Sequence, residues 1–69
     1  MSTAQLVEVL QSAMEAHASG DLGERELIAI TMAVNGALKE TAGEAYAEMA
    51  EASDAALIER IAELDRGEP

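Results

Sequence analysis

The sequence has no cysteine, tryptophan or phenylalanine, a single aromatic residue (Tyr46), one proline, one histidine and only four basic side chains. Without cysteine, disulfides and thiolate metal sites are excluded. One imidazole, His17, is too few for a histidine-based metal cage. A core with one aromatic ring is aliphatic, methionine and alanine, and no cluster of β-branched or alternating residues marks a strand. The four bases face 14 acidic residues, for a net charge of −10. Direct nucleic-acid binding needs Lys and Arg at phosphates, so it is not expected, and an anionic membrane surface is disfavoured for the same reason. An acidic chain suits a basic partner, the DNA-binding surface of another protein included.

What is present in quantity is helix-forming apolar sequence. Leu27-Ile28-Ala29-Ile30-Thr31-Met32-Ala33-Val34-Asn35-Gly36-Ala37-Leu38 contains no charge and is apolar on every side of a helical wheel. A helix apolar all round is expected to be buried all round. The run is too short to span a membrane, which takes ~20 apolar residues. A chain of 69 residues folded alone buries only roughly 60% of its unfolded surface. Small chains commonly compensate by oligomerising, so a homodimer is expected. Met1-Ser2-Thr3-Ala4-Gln5 has no basic n-region, which points away from a signal peptide and towards the cytoplasm.

Three helices are expected, over about residues 3–19, 23–52 and 54–66 of one domain. Ser2 with Gln5 forms a capping box, Met1 can staple onto Leu6, and Leu6, Leu10, Ala13 and His17 recur at helical spacing. Gly20 is the natural terminator. The short Ser19-Gly20-Asp21-Leu22-Gly23 connection makes the first two helices antiparallel neighbours. Asp21 with Glu24, or Gly23 with Glu26, starts the second helix. Ala29, Gly36, Gly43 and Ala50 recur every seven residues, and such a row of small side chains admits close approach of another helix. Gly36 therefore reads as a contact point within a long second helix. Ser53-Asp54 reads as the start of a short third helix, carrying Leu57, Ile58, Ile61 and Leu64 and stopping at Gly67 and Pro69; residues 42–66 can equally be one helix, with Thr41 and Glu44 as the capping box that starts it. The fold class is all-α, a helical hairpin with a long second helix and a short C-terminal one, forming a dimeric bundle. Its core and dimer residues are Leu6, Leu10, Leu27, Ile30, Val34, Gly36, Leu38, Gly43, Leu57 and Ile61.

No constellation of catalytic or metal-binding residues emerges. Residues 20–26 fail the calcium-loop pattern, since Gly23, Arg25 and Met32 occupy ligand positions. His17 has no nucleophile at a useful spacing, and no Glu-x-x-His pair supports a di-iron site. Neither an enzyme nor a cofactor is expected. Glu40, Glu44, Glu48 and Glu51 form one acidic stripe, either a solvated face or a docking face for basic residues. Tyr46, beside it with Met49, is an interface hot spot or an ordinary core residue.

In size, acidity, alanine-rich composition and the helix–Ser19-Gly20-Asp21-Leu22-Gly23–helix layout, the chain resembles the small inhibitors that phages encode against host regulators, the quorum-sensing anti-activators of Pseudomonas phages among them. The resemblance implies binding to a host transcription factor or motor protein to switch it off. It includes no diagnostic motif, so no site residue is carried over. The two-helix dimer layout is also similar to that of the plasmid copy-number protein that binds RNA hairpins, but only Arg25, Lys39, Arg60 and Arg66 are there to meet phosphates.

The function expected is thus a non-enzymatic acidic dimer that inhibits a regulatory protein through Tyr46, Met49 and the glutamate stripe. A small chaperone or assembly subunit covering a partner's apolar helix is the alternative. On this reading Val34→Glu and Gly36→Leu each break the assembly, which a fall in sedimenting mass would register.

Overall fold

The computed structural model describes residues 2–67, apart from the side chain of Ala45. Three helices follow one another: α1 (Thr3–Ala18), α2 (Glu24–Thr41) and α3 (Glu44–Asp65). Among the described residues there is no strand.

Helix α1 begins as its sequence dictates. The Ser2 hydroxyl accepts from the Gln5 amide at 3.2 Å, and the Gln5 side chain accepts from the Ser2 amide at 2.8 Å. The proposed Met1 staple and the Pro69 stop lie outside the described residues. At the other end Gly20 takes φ +86°, and the Asp21 and Leu22 amides both donate back to the Ala16 carbonyl. His17 Nδ1 donates to the Leu22 carbonyl at 2.9 Å, tying the last turn of α1 to the connection. Of the two possible starts for α2, Gly23 is the N-cap, with Glu24 and Glu26 in the first turn, where the helix dipole favours acids.

The expected long second helix is not formed. Helix α2 runs straight through Gly36 but ends at Thr41, and Gly43 turns the chain at φ +86°, ψ −176°. That conformation is essentially confined to glycine. Residues 44–65 then form one helix, with Ser53 and Asp54 in its middle rather than at its start. The row Ala29, Gly36, Gly43, Ala50 is consequently split: Ala29 and Gly36 lie exposed on α2, Gly43 sits in the turn, and Ala50 is buried on α3.

Helix α2 packs against both others, whereas no described Cα of α1 lies within 8 Å of one in α3. The result is a single layer, 36 × 24 × 12 Å, whose thinnest dimension is close to one helix diameter. Its radius of gyration of 12.6 Å exceeds the ~11 Å of a compact domain this long. Its surface of 4598 Å² exceeds the roughly 4,100 Å² of a typical monomer of this mass. The core is correspondingly small. Leu6, Val34 and Leu38 form its centre, with Leu10, Ile30, Ala37 and Tyr46 packed against it. Leu27, Leu57 and Ile61 are half-buried.

The apolar run is therefore not buried all round. Ile28, Val34 and Leu38 are buried, but Ala29, Ala33 and Gly36 are exposed, because a helix with one neighbour on each side keeps an open face. Val34 also fills the core of a single copy, so Val34→Glu breaks the fold itself and cannot report on assembly. Two glycines, Gly36 inside α2 and Gly43 in the turn after it, give a cleaner pair. A Cβ on Gly36 meets nothing within 4 Å in this chain, so Gly36→Ala should stabilise a monomer by up to ~1 kcal/mol through helix propensity. Gly43→Ala should cost about 1–3 kcal/mol by forcing a side chain into a glycine-only conformation. Thermal melts followed by circular dichroism read both signs.

Candidate functional site

The seam between α2 and α3 is where most of the chain's basic residues are used. Near one end, the Arg60 guanidinium grips both oxygens of the Glu24 carboxylate, Nε to Oε2 at 2.7 Å and Nη2 to Oε1 at 3.0 Å, and its Nη1 reaches Glu63 at 2.9 Å. This two-pronged contact favours the ionised acid. It holds the Glu24 carboxyl below its ordinary range, against an opposing desolvation, with the charges of Arg60 and then His17 adding to it. The same hydrogen bonds, to Glu24 first and Glu63 second, raise the Arg60 guanidinium. Arg25 crosses the seam to Asp65, both side chains exposed, rather than pairing with its neighbours Glu24 and Glu26.

Further along, Asn35 is 7% exposed and donates both amide hydrogens across the seam, to Ser53 Oγ at 3.1 Å and Asp54 Oδ1 at 3.0 Å. Lys39 reaches the other Asp54 oxygen at 3.4 Å. These contacts explain why Ser53 and Asp54 sit within a helix. Oxygens that would otherwise compete for their own backbone are engaged by a neighbouring helix. The signal in the sequence is a lone amide inside an apolar run, which marks a buried polar group in need of partners.

With Arg25, Lys39 and Arg60 engaged, the glutamates singled out by the sequence stand apart. Glu40, Glu44, Glu48 and Glu51 are all exposed, and none takes part in an ion pair among the described residues. They do not form one stripe on one helix. Glu40 belongs to α2, and the break at Gly43 puts Glu44, Glu48 and Glu51 on the outer side of α3. Met49 stands next to them at 66% exposure. Tyr46 does not join that surface freely; it is half-buried and leans on the Leu6–Val34–Leu38 core. Among the described residues no three potential metal-ligating side chains converge, and no helix is long and apolar enough to cross a membrane.

On the α1–α2 side an apolar groove of about 290 Å³ opens to solvent, lined by Leu6, Val9, Ile30, Ala33, Val34 and Ala37. Sequence periodicity identified Leu6, Ile30 and Val34 as core, but not the groove that they line.

Neither a protein-family model, nor a curated protein, nor a solved structure matches the chain. The surface chemistry alone carries the functional argument.

The Glu24–Arg60 contact has a pH signature. A carboxyl held below its unfolded value adds stability above the ordinary carboxylate range, near about 4.3 for glutamate, and that stability is lost as pH falls through the folded value. The stability gap between wild type and Arg60→Gln should therefore be full at neutral pH and close in acid. Urea unfolding at a series of pH values measures it, and a gap unchanged down to pH ~2 would contradict the assignment.

Proposed function

We propose that the chain is a non-enzymatic protein-binding module, an acidic helical unit that occupies and inactivates a regulatory protein carrying a basic surface, a transcription factor being the favoured class. The observation that supports this most is the division of charge. Arg25, Lys39 and Arg60 are engaged within the α2–α3 seam, while Glu44, Glu48 and Glu51 project from α3 without ion pairs among the described residues. Uncompensated like charge on one helix face is mildly unfavourable to the chain alone. It becomes favourable against cations, speeding encounter and fixing register. The likeness to phage-encoded inhibitors points the same way, and the encounter is set in the cytoplasm.

Self-association is the second reading, favoured by the 4598 Å² surface and by the open face of α2. The two readings separate in one experiment. An immobilised wild-type chain should retain a basic protein at low salt and release it as the Debye length falls from ~10 Å to ~3 Å between 0.1 and 1 M salt. Replacing Glu44, Glu48 and Glu51 together by Gln should weaken retention about tenfold, the scale of a few exposed ion pairs. Retention of the chain itself alone, indifferent to salt, would favour the homodimer and overturn the acidic-face reading. Tyr46→Ala is a poor probe, because this ring supports the core.

A further inference from the structure

The groove between α1 and α2 lies between two charges. Ala33, which forms one wall, has Glu26 seven residues before it and Glu40 seven residues after it. A step of seven residues returns to nearly the same face of a helix, with a drift of ~20°. The three positions therefore form one row on α2, about 10 Å apart at the backbone and about 21 Å from end to end along the axis, with the Glu26 carboxylate folded back beside Gly23. Glu26, Ala33 and Glu40 are all exposed, and neither glutamate is in an ion pair among the described residues.

We infer that this groove seats an amphipathic helix of a partner protein, aliphatic on its buried face and carrying Lys or Arg about four turns apart, so that its two cations meet Glu26 and Glu40. The small side chains of Ala33 and Ala37 let a helix backbone come close, and the floor of Leu6, Ile30 and Val34 receives its aliphatic side chains. Charge complementarity selects this occupant over a second copy. In a two-fold pairing of α2 on α2 centred at Ala33, Glu26 of each copy would stand opposite Glu40 of the other. The chain's Arg25, Lys39 and Arg60, engaged elsewhere, could not relieve that repulsion. The inference rests on the protein-binding reading and gives it a second, more specific contact surface.

The test titrates the isotope-labelled full chain with a designed helical peptide of about 18 residues, Leu/Ala on one face and two lysines fourteen positions apart to match the ~21 Å span. A sister peptide carries glutamates at those two positions. The lysine peptide should shift the amide signals of Val9, Ala33 and Ala37 and bind about tenfold more weakly to the Glu26→Gln/Glu40→Gln variant, as two exposed ion pairs allow. The Glu26→Lys/Glu40→Lys variant should reverse the preference and take the glutamate peptide. Equal binding of both peptides by wild type, or binding of neither, overturns the inference. Binding of the lysine peptide with shifts confined to Glu44, Glu48 and Glu51 also overturns it while leaving the acidic-face reading intact. Concentration-dependent broadening at Ala33 in the chain alone identifies a second copy as the occupant and overturns it as well. Failure of the protein-binding reading is read separately, in the retention experiment.

Discussion

Everything in this fold depends on one helix having two neighbours. Helix α2 supplies Val34 and Leu38 to the core shared with Leu6 of α1, and Asn35, Lys39 and Glu24 to the clasps that hold α3. No described Cα of one outer helix lies within 8 Å of one in the other. A third side of α2 is therefore left uncovered. Exposed small and apolar surface on a central helix is thus a consequence of this topology.

The charge arrangement has the same origin. With so few bases, each one paired in the α2–α3 seam has its charge offset there by an acid. The bidentate Arg60–Glu24 contact, the Lys39–Asp54 pair and the exposed Arg25–Asp65 pair individually contribute little in water. Together they select the register in which α3 lies along α2, and they leave the rest of the molecule almost uniformly anionic. Holding α3 in place and presenting an acidic exterior are the same allocation of side chains seen from two sides.

Much of this was legible in the sequence, but unevenly. The start and stop of α1 were, because Ser2, Gln5 and Gly20 act within a few residues of themselves. The break after α2 was legible only as one of two options: Thr41-Ala42-Gly43-Glu44 offers a helix start, but a long second helix is favoured beside it. Gly36 and Gly43 stand in similar alanine-rich company, and only tertiary packing decides which continues a helix and which turns the chain. Ser53-Asp54 misled for a related reason: it has the composition of a helix start, but its oxygens serve Asn35 from another helix. The acidic residues were recognised, and their grouping changed once the turn at Gly43 moved three of them onto α3. The groove was invisible, since periodicity reports which residues turn inward and not whether anything lies on top of them.

The two seams along α2 differ in kind. The side shared with α1 centres on aliphatic contacts, whereas the side shared with α3 adds ion pairs and a buried amide. Aliphatic contact weakens on cooling, and exposed ion pairs weaken in salt. Cooling accordingly bears more on the margin held by α1 and salt more on the margin held by α3, so the two edges of the molecule answer to different solvents.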